Sequence, residues 1–339
     1  MIKKILILFF LLIIGYLVYH YKSVIYGLGQ AVGQAEVLWN ANEIEDLMKN
    51  PDFPDSTKQK FRYIQEVKQF AQDSLGLNSS KNYSTFYDQN NKPILWVVTA
   101  SPEFEIKAYE WRFPIAGKFS YKGFFDYQKA KEEAENLKEM GYDTKIDEVN
   151  AWSTLGWFKD PILSSMLNRS AGSLAELIIH ELSHATVYRK NQVEFNENFA
   201  TFVGKKGAEN FLTYHYGKNS NELKEYLNNE KRSSYFKEYM HSATKELIEV
   251  YANFKEGLSI EEKRKIKSTA IENFKNRLAN SSYYQDSLEA DARLSKFHPN
   301  NAYFSGFLTY HAKQNNFEER LKEEFNGDLK SFIKAIKEE

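Results

Sequence analysis

The chain has 339 residues, with 45 basic and 46 acidic side chains and no cysteine. Nothing in the near-neutral balance points to nucleic acid, and the lack of cysteine excludes disulfides, thiolate metal ligands, a cysteine nucleophile and lipoprotein processing. Twenty-five Phe and 22 Tyr suffice for a sizeable core in one large domain or two modest ones.

Residues 1–22 open with Lys3 and Lys4, continue through an uncharged, mostly apolar run from Ile5 to Tyr19, and end at Lys22. A cleaved signal peptide and a retained anchor both fit such a run. No small-x-small cleavage pattern follows it, and Tyr16, Tyr19 and Tyr21 suit a membrane interface. The expectation is a single-pass transmembrane anchor with the rest of the chain on the extracytoplasmic (periplasmic) side.

Residues 23–49 repeat apolar positions at three- and four-residue steps, which predicts a helix. Gly27, Gly29 and Gly33 weaken it but permit close packing against a neighbour. Asn50, Pro51 and Pro54 break the pattern. A second helix is predicted over 58–75, closed by Gly76. Between 83 and 127 the period changes. Residues 93–100, 104–113 and 117–125 are rich in β-branched and aromatic side chains, so a small antiparallel sheet is predicted. A helix over 127–140, closed by Gly141, and a strand over 143–149 follow.

Residues 174–204 carry the chemistry. His180-Glu181-Leu182-Ser183-His184 is an HExxH sequence. On a helix, residues four apart share a face. His180 and His184 can therefore offer two imidazoles to one metal, with Glu181 directed at the water that metal would hold. The flanks are uncharged and mostly apolar, and Ser173 with Glu176 three residues on resembles a capping box. After a polar break at 189–192 a second helical run begins. Hydrolytic zinc typically takes three protein ligands and leaves a fourth position for water. Glu197, thirteen positions beyond His184, is placed to return a carboxylate from an antiparallel helix; Glu194 competes but falls in or beside the turn. Ala200, one turn beyond Glu197, would let the two helices approach closely.

From 208 to the end the pattern is helical and charged, with helices predicted over 208–216, 219–254, 260–278 and 283–294. Their Lys and Glu residues read as solvated faces, and His215 and His241 as structural or surface residues.

The pair HELSH and NENFA resembles the gluzincin arrangement, two histidines from one helix and a glutamate from the next. More narrowly, the segments over 152–161, 180–188 and 195–209 resemble a bacterial family of membrane-associated predicted aminopeptidases. Residues 113–117, 121–126 and 300–302 support the likeness, which covers most of the chain after about residue 28. The resemblance implies a zinc-dependent metallopeptidase that hydrolyses peptide bonds by Glu-assisted attack of water. Zn²⁺ would be held by His180, His184 and Glu197, Glu181 would act as base, and the substrate would be a peptide or protein. It further implies that residues 150–157 form a substrate-binding edge strand or the loop beside it, against the plain alternative of a packed aromatic loop. It also implies an oxyanion stabiliser in the C-terminal region, for which Tyr303, Tyr310 and His311 are candidates, although seven-residue spacing also marks a core face.

The chain departs from the pattern in places. Many relatives are lipoproteins, and this chain has no cysteine. Thr201 stands where some gluzincins carry an acidic residue, and no GxMEN-like segment is present to bind a free amino terminus. The expected architecture is α+β and predominantly helical: a membrane helix over 1–22, then a zincin-like domain over 23–339. Within that domain, 23–160 holds helices and the small sheet, and 161–339 is helical and holds the metal site. The competing reading is a membrane-anchored peptide-binding or assembly protein with a non-catalytic zinc site.

Overall fold

The computed structural model describes residues 2–114, 117–149, 159–281, 296–311 and 317–339; within these, the side chains of 8, 9, 12–14 and 309–311 are not described. The elements in chain order are α1 (Ile2–Tyr19), α2 (Tyr21–Trp39), β1 (Asn42–Glu43), α3 (Ile44–Lys49), α4 (Asp55–Asp73), β2 (Thr85–Tyr87), β3 (Leu95–Pro102), β4 (Trp111–Phe113), β5 (Gly117–Phe119) and β6 (Lys122–Phe124). They continue with α5 (Tyr127–Glu139), β7 (Tyr142–Val149), β8 (Ile162–Leu163), a 3₁₀ turn (Ser164–Asn168), α6 (Ala171–His184), α7 (Val193–Tyr216), α8 (Asn221–Ala252), α9 (Ile260–Ala279), α10 (Asn301–His311), α11 (Phe317–Phe325) and α12 (Leu329–Glu338). The chain is mostly helical with small sheets, as expected. It divides into two compact units: Met1–Asn40 with Ile94–Val149 and Pro299–Ser305, and Ala41–Pro93 with Asn150–His298 and Gly306–Glu339.

The first unit is built on the antiparallel sheet β6-β3-β7. In its register Trp96 lies opposite Phe124 on one side and Glu148 on the other. Alternation sends Val98 and Ala100 inward, where they meet Trp111, Phe124 and the Ala130, Ala134 and Leu137 stripe of α5. Asp126 starts α5 by accepting from the Gln128 and Lys129 amides, and Gly141, at φ +87°, lets the chain turn back into β7. The close packing expected of the glycines occurs at Gly33, where a Cβ would come within 2.3 Å of the Phe125 ring; Gly27 and Gly29 have nothing within 4 Å.

The membrane anchor is corrected. Among the described residues, no helix is long and apolar enough to cross a membrane. Helix α1 has 18 residues and begins with two lysines in its first turn. The uncharged run from Ile5 to Tyr19 makes about 22 Å of helix at ~1.5 Å per residue, short of the ~30 Å hydrocarbon core.

The second unit contains the sheet β1-β2-β8, in which β1 and β2 are antiparallel and β2 and β8 parallel, Phe86 opposite Ile162. Among the described residues the strands therefore form two three-stranded sheets and the hairpin β4-β5, rather than one antiparallel sheet. The helix predicted over 23–49 ends at Trp39, where Asn40 closes α2. The rest of the unit is helical. Ala175, Ile178, Ile179 and Leu182 of α6 are buried, as are Phe199, Ala200, Val203 and Phe211 of α7. Beneath α7, Phe199 packs on Phe195, Phe317 and Phe332 at ring distances of 5.9–6.3 Å counted with the Phe195–Phe317 contact, so the α11 and α12 rings fix the helix from behind. The predicted strand or loop over 150–157 and the predicted helix over 283–294 lie outside the described residues.

Candidate metal centre

Helix α6 starts one turn earlier than the sequence suggested. Its N-cap is Ser170, whose side chain accepts from the Ser173 amide at 3.4 Å. Ser173 is thus inside the helix, and the Glu176 carboxylate, instead of closing a capping box, accepts from the Tyr226 hydroxyl at 3.1 Å. The helix runs to His184, which puts His180 and His184 one above the other in its last turns.

A short reversal leads to α7. Asn191 takes φ +62°, a conformation that asparagine tolerates better than most residues. The buried Asn196 side chain then holds the turn from both sides, accepting from Arg189 N–H at 2.8 Å and donating to Arg189 C=O at 2.9 Å. Arg189 also lies over the Phe195 ring, 4.0 Å from its centroid. These contacts set where α7 begins, and hence which carboxylate comes back to the histidines.

That carboxylate is Glu197. His180 Nε2 and His184 Nε2 are 3.1 Å apart. Glu197 Oε2 lies 3.6 Å from His180 Nε2, and its Oε1 3.5 Å from His184 Nε2. Glu194 is exposed and stands outside this group. Two glycines let α7 come close enough. A Cβ on Gly204 would meet Glu176 O and His180 Cβ at 3.1 Å, and one on Gly207 would meet Ile179 Cγ2 at 2.8 Å.

The three donors fit a metal ion. A tetrahedral zinc with bonds of ~2.0–2.1 Å separates its ligands by about 3.3 Å, close to the 3.1–3.6 Å edges of this triangle. Two imidazoles and one carboxylate are also a donor set that zinc accepts. His184 is 10% exposed and Glu197 45%, so the group opens to solvent on the α7 side. His184 Nδ1 is buried and, among the described residues, makes no hydrogen bond.

The group's own charges also hold it together. Hydrogen bonds from His180 and His184 pull the Glu197 carboxyl down to about 2. Burial lowers His184, but its hydrogen bond and charge contact with Glu197, aided by the Glu181 charge, outweigh this and raise it above 6.5. The Glu197 contribution to stability is therefore present above its ordinary value of 4.5 and lost as pH falls toward 2. The His184 contribution is present below 6.5 and lost as pH rises through its raised value. The melting-temperature difference between EDTA-treated wild type and Glu197→Gln is expected to be greatest between about pH 4.5 and 6.5, as thermal melts across pH 2–9 will show.

Of the C-terminal candidates, Tyr303 lies in the first unit with Lys145 Nζ 4.6 Å from its ring centroid. The Tyr310 and His311 side chains lie outside the described residues. His215 reads as structural, its Nδ1 3.4 Å from Glu66 and its ring stacked on Phe211. Sequence reasoning missed Asn196. Asn196 was within reach, since it directly precedes Glu197 and opens the second helical run.

A family model described as "Putative aminopeptidase" matches residues 25–338. No curated protein and no solved structure matches the chain.

Proposed function

Because the chain belongs to the family described as "Putative aminopeptidase", we propose that it is a zinc-dependent peptidase of gluzincin type, with His180, His184 and Glu197 as metal ligands and Glu181 as its acid and base. The observation that carries this reading is the convergence, within 3.1–3.6 Å, of two imidazole Nε2 atoms from α6, the helix that also bears Glu181, and one carboxylate from α7.

A zinc ion held there supplies a Lewis acid that polarises a carbonyl and brings the pKa of water down to about 7. Glu181 performs the proton transfers. As a carboxylate it accepts a proton from the water that attacks the peptide carbon. As a carboxylic acid it returns that proton to the departing nitrogen, so that one C–O bond forms, one C–N bond breaks, and the elements of water are divided between the two products. One residue can serve both steps when the attacking water and the departing nitrogen both come within its reach.

The test is zinc analysis of the full chain together with turnover of free and N-acetylated peptides. About one zinc per chain and cleavage of free amino termini alone establish an aminopeptidase. Cleavage of blocked peptides keeps the chemistry and discards the exopeptidase assignment. Zinc without turnover of either class turns the reading to a peptide-binding protein, and absence of zinc overturns it.

A further inference from the structure

Residues 185–192 join the two helices that carry the metal triangle. Helix α12 holds this reversal from outside, and α12 is itself firmly seated. Asp328 caps its start by accepting from the Lys330 and Ser331 amides, and Leu329, Phe332, Ile333 and Ile336 are buried. The Phe332 ring packs against Phe199 and Phe202 of α7 at 6.3 and 5.5 Å. Lys330 Nζ donates to Asp73 C=O at 2.8 Å.

At the α6 end of the reversal the link runs through Asn78. Its N–H donates to the Thr186 hydroxyl at 2.9 Å, and its side-chain amide donates to Ala185 C=O at 3.1 Å. The Asn78 side-chain oxygen accepts from Lys337 Nζ at 3.0 Å. At the α7 end the link is Arg189, whose guanidinium donates to Ile336 C=O at 3.3 Å and to the Glu339 carboxylate at 3.4 Å. The last four carbonyls of a helix lack a partner within it, and a cation there also meets the negative end of the helix dipole; Ile336 supplies one of those carbonyls. Arg320 donates to the other Glu339 oxygen at 2.8 Å. The Arg189 guanidinium also covers the Phe195 ring, and its backbone closes on the Asn196 side chain. Phe195 and Asn196 directly precede Glu197, so the hold of α12 on Arg189 reaches this ligand by a short covalent path.

We propose that Arg189 and Lys337 are positioning residues for the metal centre: with Asn78 they clamp the reversal between α6 and α7 to the last turn of α12, and so fix Glu197 against His180 and His184. Two ligands ride on α6 and one on α7, so the width of the triangle depends on the reversal that joins them. Exposed ion pairs add little to overall stability, whereas a metal site depends on how closely its ligands are held in place. Loosening the clamp should therefore cost metal affinity before it costs the fold. The role rests on the reading of the triangle as a metal site.

The experiment compares Arg189→Met, Lys337→Met and the double variant with wild type, each as the full chain. Methionine keeps an unbranched stem against the Phe195 ring but loses the charge and the donors. The readouts are zinc affinity by chelator competition and hydrogen exchange of the amide at position 189 in EDTA-treated protein. Melting temperature is the control. Arg189→Met is expected to weaken zinc about tenfold and to speed exchange at position 189, while lowering the melting temperature by about 4 °C or less. Lys337→Met should act in the same direction by less, because its bond to Asn78 is exposed. Wild-type zinc affinity in the double variant overturns the proposal. So does zinc weakened only together with a large fall in melting temperature, the mark of a merely structural contact. If the wild type binds zinc but cleaves no peptide, the peptidase reading fails and zinc affinity still decides the clamp. If the wild type binds no zinc, the metal reading fails; unchanged exchange at position 189 then overturns the clamp as well, and faster exchange sustains it as a hold on the reversal.

Discussion

Glu181→Gln is expected to hold zinc as wild type does and to lose peptide hydrolysis by about 10²–10⁴-fold, the size of a positioned general acid–base contribution. Glutamine keeps the length and shape of the side chain but cannot take up a proton. The substitution leaves His180, His184 and Glu197 intact, so binding and chemistry separate: KM should hold while kcat falls. Zinc analysis beside steady-state kinetics checks both halves. Loss of zinc along with activity would mean that Glu181 supports the ligands rather than the proton transfers. Unchanged turnover would remove it from the mechanism.

The second large effect is expected far from any reacting atom. Gly204 sits in the middle of α7, where propensity alone favours replacement, since a helix-interior glycine is about 1 kcal/mol worse than alanine. The space does not allow it freely. A Cβ at Gly204 meets the Glu176 carbonyl oxygen and His180 Cβ at 3.1 Å, and backbone of a packed helix has no rotamer by which to yield. For Gly204→Ala the two effects nearly offset. For Gly204→Val the added methyls must push α7 away from α6, at a cost of about 1–3 kcal/mol. Because Glu197 rides on α7 and the histidines on α6, that displacement opens the triangle, and zinc affinity should fall more than tenfold, in the range seen when the surroundings of a metal ligand are disturbed. Chemical denaturation and competitive chelator titration measure the two consequences. A stable Gly204→Val variant with wild-type zinc affinity would show that the helices have slack that their packing does not suggest.

Much of this arrangement follows from short-range rules. The four-residue spacing of His180 and His184 places two imidazoles on one helical face whatever the rest of the chain does. Gly76 and Gly141 mark helix ends because they take positive φ without penalty, +70° and +87°, and the β-branched run before Pro102 becomes β3 because such side chains pack well on a pleated surface. The Ser173 reading shows the limit of such rules. Ser170 and Ser173 are both good caps, and Tyr226, fifty residues from Glu176 in sequence, takes the Glu176 carboxylate that would have favoured the second.

The amino-acid sequence by itself determined the mostly helical character of the chain, the two histidines and the neighbouring glutamate, because each depends on residues within a turn or two of one another. Spacing favoured Glu197 over Glu194, but only the tertiary structure shows what brings Glu197 to the histidines: where Asn196 closes the reversal and how nearly Gly204 and Gly207 let α7 approach α6. It alone decided that β2 pairs with β8 and so delivers Asp160 to Tyr83. Contacts between residues 77 positions apart leave no periodicity in the sequence; they exist only once the chain has buried its apolar faces and each buried polar group has found a partner.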